Sequence, residues 1–283
     1  MLLASTATAR VTQRVISIAT ASQKGGVGKT TICVNLAYSI ARRGWNTLLI
    51  DTDPQGAVGL SLARSTRVRP GFYDYLGGHP TLTDLVLATR LPEFSILPAG
   101  QYDNIMRLGV QFFDVARRVS DLQRAARLAG YHVILFDTAA GLTGVTEGIL
   151  KSVDYAILPQ QSEPLAVRSV PHMLETLARF RSEGAPVKVA GVLLSMVMED
   201  SPTSLQVARE LRQVLPPDLM FKQSIPRLPS FLEASAHGVP VALLRQNPPP
   251  EAFLFDQIAA ELETRVGLNR QQDHGYRHAS LLD

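Results

Sequence analysis

ASQKGGVGKTT (Ala21–Thr31) follows directly on RVISIATA (Arg14–Ala21), a β-branched run that reads as a buried strand. The common phosphate loop is spelled G-x-x-x-x-G-K-[ST]. Gly28, Lys29 and Thr30 supply the end of that pattern, but Gln23 stands at its first glycine and a second lysine, Lys24, comes next. A strand that runs into a glycine loop and opens a helix is the context that turns such a match into a site. Gly25, Gly26 and Gly28, with Val27 among them, let backbone N–H groups approach phosphate oxygens, and the helix N-terminus adds its positive end. Lys29 is placed for the β- and γ-phosphates and the Thr30 hydroxyl for Mg²⁺. A glycine-rich turn with no ligand is the competing reading, and the strand–loop–helix order argues against it.

Short apolar runs then alternate with longer helical patterns. Cys33, Leu36, Ala37 and Ile40 recur at i, i+3, i+4 and i+7, so residues 30–43 read as a helix whose cysteine is packing rather than chemistry. Gly44 ends it, and NTLLIDTD (Asn46–Asp53) is the next strand. Further strands are expected at residues 131–141, 154–161 and 187–197, with helices at 111–129, 165–183 and 204–215. The Pro-rich NPPPE (Asn247–Glu251) leads into a last helix. Such alternation predicts βαβ units. The fold class is α/β, a three-layer phosphate-loop fold with a mostly parallel central sheet and helices on both faces. The expected organisation is a tail at 1–13, one domain at 14–266 and a polar tail at 267–283.

Composition narrows the class. The 283 residues are 46% hydrophobic and 19% charged, ordinary for a globular chain with a full core. The single cysteine rules out an intrachain disulfide and fits a reducing compartment. No apolar run approaches the roughly 18 residues that span a bilayer. The chain therefore reads as cytoplasmic. Its net charge of +3 is compatible with a nucleic-acid partner without requiring one.

Two carboxylate positions complete the chemistry. Asp137 ends the run VILF, at a strand's C-terminal edge where ligands bind in open α/β sheets, and suits a Mg²⁺ ligand acting through water. In DTDPQG, Asp51 and Asp53 are two residues apart at another strand end and share a side. An ordinary Asp-Pro-Gly turn is the alternative there.

KGGVGKTT, DTDPQG, LFDTAAG, LPQQSEPLAVRS and IPRLPSFLEASAHGVPV, in that order from about Val15 to Val241, resemble the ParA/MinD family of deviant Walker-A ATPases, and within it the ParA/Soj branch. The resemblance implies an ATP-bound sandwich dimer in which Lys29 serves its own subunit's ATP while Lys24 reaches the partner's phosphates. It implies ATP and Mg²⁺ as cofactors, with Gly25, Gly26, Val27, Gly28, Lys29, Thr30 and Thr31 around the phosphates. It places Thr30, Asp51 and Asp137 near the metal, Lys24, Lys29 and Asp53 in catalysis with Asp53 on the water, and Pro226 and Arg227 beside the adenine. The implied partners are a second copy, non-specific DNA and a ParB-like or other adaptor that stimulates hydrolysis.

The departures are specific. Ala139 and Ala140 follow the Asp137–Thr138 pair where the family usually has Pro-Pro or Pro-Ala. About 14 residues precede the first strand, too few for the upstream DNA-reading domain of large-plasmid relatives. The C-terminus lacks the basic amphipathic helix with which MinD-type relatives bind membrane, so no membrane partner is expected. Asp200 and Ser230 stand where Soj-like relatives place DNA-contacting arginines. The Arg117, Arg124 and Arg127 stripe and the Arg64, Arg67 and Arg69 cluster are the substitutes, each also readable as a solvated face. Three functions compete: an ATPase switch that positions a cargo, a non-cycling nucleotide-dependent module, and an iron–sulfur reductase. The lone Cys33 disfavours the last.

Overall fold

The computed structural model describes residues 14–56, 58, 69–78, 81–102 and 112–269. The tail at 1–13, the tail beyond 269 and the arginines at 64 and 67 lie outside the described residues. β1 (Ile16–Thr20), β2 (Thr47–Asp51), β3 (Leu87–Ala88), β4 (Phe94–Leu97), β5 (Val133–Asp137), β6 (Tyr155–Gln161) and β7 (Lys188–Ser195) form one sheet in the order β3-β4-β2-β5-β1-β6-β7. Every pairing is parallel except that of β3 with β4.

Parallel neighbours need crossovers, and the helical stretches supply them. They are α1 (Lys29–Arg42), α2 (Phe72–Leu76), α3 (Leu82–Leu85), α4 (Phe112–Leu128), α5 (Val145–Leu150), α6 (Ala166–Ser182), α7 (Pro202–Val214), α8 (Pro229–His237) and α9 (Pro250–Val266). Strand side chains alternate between two cores. Ala19, Leu48, Ile50, Ile134 and Phe136 pack with α4, α5 and α6, whereas Ile18, Leu49, Val133 and Leu135 pack with α1 and α9. Period-two alternation on a sheet buried on both faces produces this division. The expected stripe of Cys33, Leu36, Ala37 and Ile40 is buried without exception. Gly44 and Gly267 end α1 and α9 at φ +84° and +71°, the left-handed conformation that glycine adopts without penalty.

β3 and β4 were not foreseen. Their two and four residues give too few periods to read, and β4 lies between Pro92 and Pro98. Among the described residues no helix is long and apolar enough to cross a membrane. β1 sits near the middle of the sheet, with β5 on one side and β6 on the other. The loop after it opens at the carboxyl edge of the strands, where crossovers diverge and ligands bind.

Candidate nucleotide site

Three strand ends meet at this edge. The register sets Thr20 of β1 and Asp51 of β2 on either side of Asp137 of β5. Adjacent strands are about 4.8 Å apart, so these residues share one crevice. The loop leaving β1 is braced from two directions. Gly141 N–H donates to the Ser22 carbonyl at 3.0 Å, and Ser195 Oγ, at the end of β7, donates to the Val27 carbonyl at 2.8 Å. Gly26 and Gly28 have φ of 76° and 86°, which a side chain would strain. A Cβ built on Gly25 would stand 3.9 Å from Ala140 Cβ, so the Ala139–Ala140 segment lies against the loop. Gly28 caps α1 without a side chain, which leaves first-turn N–H groups of the helix to an anion.

The two lysines occupy different environments. Lys29 is buried at the start of α1. Lys24 is half-exposed; its ammonium pairs with Glu163 and lies 3.4 Å from Gln161 Oε1. Gln161 and Glu163 lie within LPQQSEPLAVRS but had no site role in the sequence reading, because nothing local joins them to a lysine that precedes them by more than a hundred residues.

Thr30 Oγ1 donates to Asp137 Oδ2 at 2.7 Å. Asp137 Oδ1 is buried with no hydrogen-bond partner. An unsatisfied buried polar atom costs about 1–3 kcal/mol, so this oxygen marks a place for a bound water or cation. Burial pushes the Asp137 carboxyl up to about 7 and Asp53 adds to the rise, while the Thr30 hydrogen bond and the Lys29 charge pull against it. One hydroxyl and one carboxylate make the sparse donor set that suits Mg²⁺, an ion that keeps its waters and takes phosphate oxygens. The site residues fit that ion.

Asp51 is occupied differently. Its Oδ1 accepts the Asp53 N–H at 3.2 Å and its Oδ2 the Val58 N–H at 3.0 Å, so the carboxylate organises the turn that carries Asp53. Asp53 accepts the Gln55 N–H through Oδ1 at 2.9 Å and the Gly56 N–H through its carbonyl at 2.8 Å. Oδ2 of Asp53 has no partner among the described residues. Cys33 is buried, with its thiol 2.9 Å from Thr20 Oγ1 and held protonated by burial.

Beside the loop lies a cleft of about 510 Å³ lined by Gly28, Thr31, Met196, Pro226, Arg227 and Phe231, among others. Pro226 and Arg227 come here because the chain, after α7, returns to run parallel to β7 and its extension: Val197 N–H donates to the Ile225 carbonyl at 3.0 Å and Arg227 N–H to the Val197 carbonyl at 2.9 Å. Met196 was not foreseen. It is the one non-glycine residue at positive φ (51°) among the described residues, and its Sδ accepts from Gln161 Nε2 at 3.2 Å. Asp200 is exposed at the rim of the cleft, and Ser230 has a buried hydroxyl at the start of α8. Arg117, Arg124 and Arg127 are exposed on α4, where Arg124 pairs with Asp121; Arg69 is exposed as well.

A family model described as an AAA domain matches residues 13–188. The chain is 34% identical over 237 residues to the chromosome partitioning protein ParA of Caulobacter vibrioides, covering 81% of this chain and 86% of that one. It is 33% identical over 256 residues to the chromosome-partitioning ATPase Soj of Thermus thermophilus, covering 89% and 97%. Among solved structures, a Cyanothece McdA variant in complex with ATP aligns with a TM-score of 0.74 at 17% identity over 91% of this chain and 98% of that one. The Pyrococcus furiosus cell division ATPase MinD aligns at 0.70 and 22% over 88% and 98%. At these identities the two structures show the shared fold.

Proposed function

The chain belongs to the ParA/MinD family of ATPases that position a cargo, and from that premise we propose how its residues run the cycle. ATP would sit with its phosphates on the Gly25–Thr31 loop and its base in the cleft of Pro226 and Arg227. Lys29, already buried at the helix start, holds the β- and γ-phosphates of its own subunit. Thr30 and Asp137 would hold Mg²⁺, which when bound would supply positive charge against the negative charge that develops on the transferring phosphoryl group. Asp53 orients the attacking water with its open oxygen, and Asp51 keeps the Asp53 turn in place. Lys24 leaves Glu163 and crosses to the partner's phosphates, so dimerisation reports that both sites are filled. Catalysis is then positioning and charge stabilisation, and turnover is slow until an adaptor completes the site.

The observation that carries this reading is one loop holding two lysines with separate duties, one buried at the phosphate end and one on a releasable surface pair. The cargo is a DNA locus or a protein assembly, and DNA of any sequence is the matrix we favour for the ATP dimer. Phosphate contacts from exposed arginines would supply that binding. Purified protein tests the core of the reading. Mg²⁺–ATP, and not ADP, should turn monomer into dimer by light scattering, with slow release of phosphate. A stable ATP dimer that never releases phosphate would instead select the non-cycling module.

A further inference from the structure

The peptide that joins Thr52 to Asp53 is held at both of its polar ends. Its N–H donates to Asp51 Oδ1 at 3.2 Å, and its carbonyl accepts the Tyr73 hydroxyl at 2.6 Å. A peptide unit is planar from one Cα to the next. Holding these two atoms restrains that plane and with it the position of the Asp53 Cα. The Gln55 N–H on Asp53 Oδ1 at 2.9 Å and the Gly56 N–H on its carbonyl at 2.8 Å restrain the residue beyond the plane. Thr52 is in turn tied to β5, since its N–H and Oγ1 both donate to the Asp137 carbonyl, at 2.9 and 2.7 Å.

Tyr73 comes from elsewhere in the fold, on a mount with little slack. The Phe72 and Tyr73 N–H groups each donate at 2.8 Å to the carbonyls of Pro98 and Ala99, just past β4. A Cβ on Gly71 would lie 2.0 Å from the Pro98 oxygen, so only glycine lets α2 approach this closely. Asp74 Oδ2 closes the junction by accepting from the Gly71 and Gln101 N–H groups at 2.9 and 3.1 Å. The Tyr73 ring packs edge-on against Phe72 and Tyr102, with centroids 5.2 and 4.9 Å away. Its hydroxyl is fully buried and burial holds it protonated, so it acts as a donor at every working pH.

Phenylalanine would fill the same space. What tyrosine adds is one hydrogen bond, aimed at the carbonyl directly before Asp53. We propose that Tyr73 is a positioning residue for ATP hydrolysis, setting Asp53 against the attacking water through the Thr52 carbonyl. The inference rests on the reading of Asp53 as the water-orienting group.

The test compares Tyr73→Phe, Asp53→Ala and wild type for thermal midpoint, ATP affinity, ATP-dependent dimerisation and single-turnover hydrolysis. Displacing a reacting group by about 1 Å can cost roughly a hundredfold, so a partial loosening should cost about tenfold. Tyr73→Phe should bind ATP and dimerise within about twofold of wild type while its hydrolysis falls about tenfold. 3-Fluorotyrosine at position 73 keeps the ring and the hydroxyl and should restore most of the rate. Wild-type hydrolysis in Tyr73→Phe, with Asp53→Ala inactive, overturns the role of Tyr73 alone. Equal losses of ATP binding and hydrolysis, or no rescue by fluorotyrosine, assign Tyr73 to structure and also overturn it. Asp53→Ala turning over at the wild-type rate removes the reading on which the inference stands.

Discussion

Replacing Glu163 with Gln should strengthen ATP-dependent dimerisation. In the single chain Glu163 holds the Lys24 ammonium, with Gln161 3.4 Å away as a weaker second contact. The proposed cycle needs that ammonium on the partner's phosphates, so the internal pair competes with assembly. Its side chains are 50% and 40% exposed, and pairs this exposed contribute about 0.2–1 kcal/mol. A dimer gives up two of them, one per subunit, for a total of about 0.4–2 kcal/mol. At about 1.36 kcal/mol per factor of ten, the dimer dissociation constant should fall roughly 2- to 30-fold. Sedimentation equilibrium with a non-hydrolysable ATP analogue measures it without interference from turnover. The gain should shrink at high salt, which screens the pair in the wild type. A dissociation constant that is unchanged or weaker in Glu163→Gln would refute the competition and make Glu163 a partner that Lys24 keeps in the dimer.

Two further outcomes follow from other parts of the molecule. His132 Nδ1 accepts the Asn46 N–H at 3.1 Å, and burial lowers its affinity for a proton. The unfolded chain then binds more protons than the native one, so this contribution to stability is complete above about pH 6.5 and is lost as pH falls through the lowered native value. Urea midpoints at neutral and mildly acidic pH should diverge more in wild type than in His132→Leu; equal divergence removes His132 as the source. For the matrix, retention on random-sequence DNA should require ATP, weaken steeply with salt and be lost in the Arg117→Glu/Arg124→Glu double variant. Each phosphate contact removed should flatten the salt dependence by about 0.9 in log–log slope. Undiminished retention in the double variant would move the DNA surface off α4.

The parts of this site that lie close together in sequence were legible before the fold was known. Strand, glycine loop and helix are contiguous from Arg14 to Arg43, and Asp137 is marked by the apolar run it terminates. Parallel pairing then brings Thr20, Asp51 and Asp137 to one edge as a consequence of equal strand lengths. Long-range contacts between side chains carried no such signal. Glu163 meets Lys24, Tyr73 meets Thr52 and Met196 meets Gln161 only after crossovers have been laid down. β4 was missed because four residues between two prolines show no period. Asp51 was legible as a strand-end carboxylate on the side of Asp53, with its place near the metal implied by the resemblance. That its two oxygens also accept the Asp53 and Val58 N–H groups had no signal in the sequence.

The division of labour between the two lysines is the centre of this account, and calorimetry combined with light scattering on Lys24→Ala and Lys29→Ala tests it most directly. Lys29→Ala should fail to bind ATP, because the buried cation at the phosphates is gone. Lys24→Ala should bind ATP as a monomer with affinity within several-fold of wild type, at roughly 1.4 kcal/mol per factor of ten, yet neither dimerise nor hydrolyse it. A Lys24→Ala protein that forms the ATP dimer normally would contradict the account.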